Sequence, residues 1–191
     1  MQIFRTSSRF ALLSCAIVSC DAFAAAGDID ASFSKAGNAI TSINLDTQAS
    51  DVLVDTVVGS DGKIFQIGRA KMTVDGDDNA IIAIVRLTAG GLPDPVFGDG
   101  GVAVTFSETM LLFPTDAALQ PDGRLVVVGT ALVKGSSDLD MLLCRYTAAG
   151  QPDLSILGKA RDAPGCTTDL GSNAIEAKAQ DAGSAVALQT D

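Results

Sequence analysis

From Ala117 to Gly129 the chain reads Ala-Ala-Leu-Gln-Pro-Asp-Gly-Arg-Leu-Val-Val-Val-Gly, two apolar runs around an Asp-Gly turn. Asp-Gly between β-rich runs is a strong hairpin signal, because glycine accepts the positive φ of a tight turn. The second run, Leu125 to Val128, has no polar alternation, so a strand here needs cover on both faces. The same pattern stands earlier at Val57-Val58-Gly59-Ser60-Asp61-Gly62-Lys63-Ile64-Phe65-Gln66-Ile67-Gly68. It opens once more at Val186-Ala187-Leu188-Gln189-Thr190-Asp191. The chain is a repeat array, and the repeat governs the fold.

Other landmarks keep the same period. Gly27-Asp28-Ile29-Asp30, Gly91-Leu92-Pro93-Asp94 and Gly150-Gln151-Pro152-Asp153 each place Asp three residues after Gly. Arg86 to Asp94 aligns without gaps to Arg145 to Asp153, with Arg, Thr, Ala, Gly, Pro and Asp recurring in place. Recurrence of each Arg with its Asp suggests structural pairing rather than ligand contact. A period of about 60 residues fits one four-stranded sheet plus loops. Strands are expected near 38–44, 52–58, 63–71 and 80–88 in the first unit, and near 101–106, 115–120, 124–132 and 140–147 in the second.

Phe97-Gly98-Asp99-Gly100-Gly101, Ala118-Leu119-Gln120-Pro121-Asp122-Gly123-Arg124 and Cys144-Arg145-Tyr146 together resemble the delta-60 repeat. This is a bacterial repeat family regarded as forming β-propeller blades. The resemblance covers nearly all of residues 27–191. The first copy carries Gly59-Ser60 where the family has Gln-Pro, and the third carries Ile156 in place of Phe. The resemblance implies an all-β fold, a partial β-propeller of about two and a half four-stranded antiparallel blades, and the residues before it read separately as an N-terminal signal peptide. It transfers no catalytic residues and no cofactor. The expected organisation is a signal peptide at 1–26, repeats at 27–90 and 91–150, and an incomplete third repeat at 151–191. After Asp191 the pattern expects Gly and then a hydrophobic strand, so the third unit reads as cut in mid-hairpin; propellers usually close with 4–8 blades, more than the units here.

Residues 1–26 carry a basic Arg5/Arg9 region, an apolar stretch from Phe10 to Ser19, and Ala22-Phe23-Ala24 at the positions signal peptidase reads. The apolar stretch is too short for a bilayer span, which takes about 20 residues. The expectation is export to the periplasm or the outside of the cell. Ile17-Val18-Ser19-Cys20 loosely matches a lipobox, so lipid anchoring at Cys20 is the alternative.

Formal charge is −10, from 13 Lys+Arg against 23 Asp+Glu. Nucleic-acid binding needs a basic footprint to displace phosphate counterions, and this chain has the opposite balance. There is no His, which rules out a Ser-His-Asp or Cys-His centre within the chain.

Asp75, Asp77 and Asn79 alternate as in a Ca²⁺ loop and are weak metal candidates. Ala80 and Arg86 stand where an EF-hand needs Gly and Glu. The simpler reading is a solvated turn, matched in the second unit by Asp138 and Asp140. Cys144 and Cys166 remain after leader removal, and an even count in an exported chain favours a disulfide. A small buried thiol at Cys144 is the alternative.

Three functions fit these residues. The first is a non-enzymatic exported repeat protein whose blades meet an unknown protein or glycan ligand, with self-association through open blade edges. The second is a hydrolase or lyase using acidic residues on a propeller scaffold. The third is a non-functional truncated gene product.

Overall fold

The computed structural model describes residues 27–41, 43, 50–137, 139–156, 163–168 and 181–189. The leader with Cys20, together with Asp138 and Asp191, lies outside the described residues.

Among the described residues eight strands follow one another: β1 (Val52–Val58), β2 (Ile64–Val74), β3 (Asp77–Leu87), β4 (Val102–Thr105), β5 (Met110–Leu119), β6 (Leu125–Val133), β7 (Leu139–Tyr146) and β8 (Cys166–Thr167). They form two four-stranded antiparallel sheets in the orders β1-β2-β3-β4 and β5-β6-β7-β8. The fold is therefore all-β and propeller-like. Consecutive strands pair through short turns, as local antiparallel connections favour.

β6 shows why its run lacks alternation. Leu125 to Thr130 are all buried. One side of the strand, with Leu125, Val127 and Ala131, joins a core that runs through both sheets. In the first sheet that core takes in Phe65, Ile67, Ile82 and Ile84, and in the second Leu112, Leu142, Cys144 and Tyr146. Thr105 on β4 and Tyr146 on β7 bridge the sheets, their hydroxyl oxygens 2.6 Å apart in a buried hydrogen bond. Burial pushes the Tyr146 phenol above its ordinary range. The outer face of the first sheet has a small cluster of its own, with Ala70, Ile81 and Ala83 under Ile43, Met72 and Phe106.

Three expectations are corrected. First, the sequence predicts the strand near 101–106 in the second unit's sheet. Val102–Val85 and Thr105–Ile82 pairing puts it on the edge of the first sheet instead. Each sheet thus takes three strands from one unit and its fourth from the opening of the next. Second, the described residues of 38–44 make no strand, only an isolated Lys35–Asn38 bridge. Third, Val186 to Gln189 joins no ladder among the described residues. It is tied to the second sheet by other bonds: the Gly183 amide donates to the Gly129 carbonyl at 3.0 Å, and the Thr115 hydroxyl donates to the Gly183 carbonyl.

β5 begins at Met110 and runs through Pro114. Proline is tolerated because β5 is an edge strand and its register shifts between Pro114 and Asp116. β1 has the matching irregularity between Leu53 and Asp55.

Candidate interaction site

The two Asp-Gly turns are built alike. The Gly62 amide donates to the Gly59 carbonyl and the Gly123 amide to the Gln120 carbonyl, both at 2.9 Å. Gly62 and Gly123 hold φ values of 77° and 82°, which the turn requires and a side chain would strain. Asp61 Oδ1 accepts the Lys63 amide at 3.2 Å, and Asp122 Oδ1 accepts the Arg124 amide at 3.1 Å.

These turns stand side by side at the rim of the two sheets. Between them lies a cleft of about 1180 Å³, whose walls include Ser60, Asp61, Lys63, Gln120, Asp122 and Leu188. Arg86, Phe65 and Ala148 also line it.

A chain of alternating charges runs behind each turn. In the first unit Lys63 bonds Asp61 at 3.0 Å and lies 3.9 Å from Asp94, which Arg86 Nε binds at 2.9 Å. In the second, Arg124 bonds Asp122 at 2.7 Å and Asp153 at 3.2 Å, and Arg145 Nε binds Asp153 at 2.7 Å. The pairing expected from sequence between Arg86 and Asp94, and between Arg145 and Asp153, is what the geometry holds. Both chains balance two cations against two anions. Lys63, through its side-chain hydrogen bond, holds Asp61 below the ordinary carboxylate range. Asp153 is held down to about 2, first by the Ser155 hydroxyl and amide and then by the Arg145 charge.

The two chains differ in cover. Arg86 lies over Phe97 at 4.5 Å and Phe65 at 5.7 Å, and donates to the Ala148 carbonyl of the neighbouring sheet. Arg86 and Asp94 are both almost fully buried. Where the first repeat has Phe97 and Phe65 around Arg86, the second has Ile156 and Val126 at the equivalent positions, and Arg145 is about a quarter exposed. Its other hydrogen bond goes to Ser155 at 3.0 Å. The chemistry on offer at the cleft is paired charge beside an apolar wall, which suits hydrogen bonding to a bound surface.

The metal candidates stand elsewhere. Asp75 and Gly76, with φ values of 53° and 90°, form the two-residue turn between β2 and β3. Positive φ at both positions is the pattern of a type I′ hairpin. Asp75 and Asp77 are exposed, and the buried Asn79 donates through Nδ2 to the Asp77 carbonyl at 2.9 Å. Among the described residues Asn79 Oδ1 has no hydrogen-bond partner. Among the described residues no group of three or more His, Cys, Asp or Glu is placed to hold a metal ion. Asp140 lies on β7 opposite Ala131. Cys144 and Cys166 are cross-strand partners on β7 and β8, with their sulfurs bonded at 2.03 Å.

Sequence reading missed two functional elements of this architecture. One is the Phe-Gly corner. The Phe97 ring packs against Gly150, and the Gly98 amide donates to the Ala149 carbonyl at 2.8 Å. Phe33 packs against Gly91 in the same way, and the Ser34 amide donates to the Gly90 carbonyl at 2.8 Å. The other is an aspartate at each strand irregularity. Asp55 Oδ2 accepts the Ala117 amide at 3.1 Å, and Asp116 Oδ2 accepts the Val186 amide at 2.7 Å. Ala117 and Val186 occupy the same repeat position, so both contacts join one unit to the next by one rule. The signal available was the recurrence of Asp55 at Asp116.

Fold and repeat geometry define a β-propeller-type repeat chain. A family model described as "Domain of unknown function (DUF5122) beta-propeller" matches residues 120–155, from the second Asp-Gly turn through β7 to the Arg145–Asp153 pair. No curated protein and no solved structure matches the chain.

Proposed function

We propose that this chain is a non-enzymatic, exported repeat protein of the delta-60 kind, presenting its blades for interaction at the cell envelope or outside the cell. The cleft of about 1180 Å³ between equivalent turns of adjacent units carries this reading. Its carboxylates, Asp61 and Asp122, each hold a cation, so the cleft offers balanced polar contacts. A glycan or a protein loop is the ligand class such a surface suits. The delta-60 assignment is supported by the overlap between the matched stretch and the Gln-Pro-Asp-Gly and Arg-Tyr motifs. Export rests on the Arg5/Arg9 region and Ala22-Phe23-Ala24.

Two measurements test the parts separately. Mass spectrometry of the native protein should find Ala25 or Gly27 at its N-terminus; an intact Met1 would refute export. A glycan array and envelope-protein capture should be run on wild type and on Ser60→Trp, which fills the cleft from an exposed turn position. The retained ligand should be lost in the variant at an unchanged melting temperature. Equal retention by both would move the interaction away from the cleft.

A further inference from the structure

The sequence holds four Asp-Gly pairs, at 61–62, 75–76, 99–100 and 122–123. Such a pair can rearrange on itself, because glycine has no side chain to keep its nitrogen from the preceding carboxyl carbon. The attack needs a free nitrogen, a free carboxyl group and a peptide plane able to turn.

Three of the four pairs are held. The Gly62 and Gly123 amides donate to the Gly59 and Gln120 carbonyls, both at 2.9 Å. Their aspartates are held at both oxygens, Asp61 by the Lys63 amide and ammonium, Asp122 by the Arg124 amide and guanidinium. Charge-assisted bonds are the stronger class, and attack on Cγ has first to break them. At the third pair the Asp99 carbonyl accepts the Val102 amide at 3.1 Å, and the Asp99 amide donates to the Val102 carbonyl at 2.7 Å. The peptide unit is planar, so fixing that carbonyl fixes the Gly100 nitrogen with it.

Asp75-Gly76 differs on every count. Both residues are exposed, and a Cβ built on Gly76 would meet nothing within 4 Å. Among the described residues no hydrogen bond or ion pair holds the Asp75 carboxylate, and none holds the Gly76 amide. Donors of the same hairpin go to Asp78 instead, the Lys71 ammonium at 2.8 Å and the Thr73 hydroxyl at 3.2 Å.

We infer that Asp75-Gly76 is a site of spontaneous isoaspartyl formation, left open by a fold that closes the other three. The Gly76 nitrogen bonds to Asp75 Cγ, and the carboxyl hydroxyl leaves with the amide proton as water. Water then opens the five-membered imide. Cleavage between nitrogen and Cγ restores aspartate. Cleavage between nitrogen and the Asp75 main-chain carbonyl carbon leaves the chain running through Cβ and Cγ. Water is the only co-reactant, and nothing is oxidised or reduced. The product keeps its mass and formal charge but has one more methylene in a two-residue turn. That loosens the Val74–Asp77 closure at the end of the β2–β3 ladder. The site lies outside the cleft and does not depend on what the cleft binds.

The full chain, folded and in urea, is incubated in mildly acidic buffer made with heavy-oxygen water, then digested and mapped by mass spectrometry. Each opening of the imide takes up one heavy oxygen, and fragmentation separates isoaspartate from aspartate. In the folded protein isoaspartate should accumulate at Asp75 at least tenfold faster than at Asp61, Asp99 or Asp122. In urea the four rates should converge, because the tethers are gone. Equal accumulation at the four folded sites would overturn the proposal. So would a folded chain unmodified at Asp75 while the unfolded chain reacts there. A preference for Asp75 that persists in urea would do the same, since it would lie in the neighbouring residues and not in the fold.

Discussion

At the scale of single residues, the corner after β3 tolerates little. Gly98 has φ 55°, and a Cβ built on it would lie 1.9 Å from the Val102 carbonyl oxygen. Backbone cannot step aside as a flexible side chain can, so Gly98→Ala should cost more than about 2 kcal/mol. Chemical denaturation of both proteins would measure it. The first unit pays for its departures at the same corner. Ser34 and Ala36 hold φ values of 47° and 53° where the second unit has Gly98 and Gly100. Asp153 makes a second residue-level prediction. Its folded-state titration is lowered, so its stabilising contribution is complete above the ordinary carboxylate value of 3.8 and is lost as pH falls toward about 2. Ser155→Ala removes the first cause of that lowering. Thermal melts from pH 6 to 2 should show the variant less stable above about pH 4, with the gap closing toward about pH 2. A gap independent of pH would contradict the assignment.

Among the elements, the two Arg–Asp corners separate burial from charge. Removing one member of a buried ion pair strands the other, at about 3–5 kcal/mol, whereas an exposed pair contributes about 0–1 kcal/mol. Asp94 and Asp153 are both buried, but Arg145 is about a quarter exposed and Asp153 keeps Arg124 at 3.2 Å, so Arg86→Met should cost more than Arg145→Met in urea unfolding. Equal costs would mean that the Phe65–Phe97 enclosure contributes nothing. β8 is only two residues long and is joined to β7 through Cys166–Cys144, at a sequence separation of 22. Closing a loop of that length stabilises by about 3 kcal/mol in the chain-entropy model. Thiol labelling of denatured, unreduced protein should find neither cysteine, and Cys166→Ala should lower stability by about that amount. The elements also show what could be read in advance. Asp61-Gly62 and Asp122-Gly123 announced their hairpins, and β1, β6 and β7 lie close to their expected spans, because turn chemistry and apolar runs are local. Val102 to Thr105 was recognisable as a strand, but its sheet was not, since pairing depends on which distant edge stands open. Pro114 hid the first half of β5, and only the Pro114–Asp116 irregularity explains its place there. The reach of Asp55 to the Ala117 amide spans a whole unit, a contact no local pattern encodes.

The molecule as a whole has one internal reporter. Tyr146 is the only tyrosine, there is no Trp, and the phenol bonds Thr105 across the two sheets. Its emission reads the interface, while far-ultraviolet circular dichroism reads the strands. Because one core runs through both sheets, the two signals should follow a single denaturation curve. Separate midpoints would mean that the sheets part before they melt.

Handing one strand backward has a consequence for how such chains can grow and break. A proteolytic nick at the sequence border between Gly90 and Gly91 would fall inside a sheet, leaving β4 bonded to β3 across the break. The severed pieces would stay clasped, and the cut would be silent until the protein was denatured. Tandem duplication of a gene segment one period long meets the same arrangement from the other side. Wherever the duplication begins, the inserted copy supplies the strand its predecessor lacks and accepts one from its successor, so the array lengthens without leaving a seam.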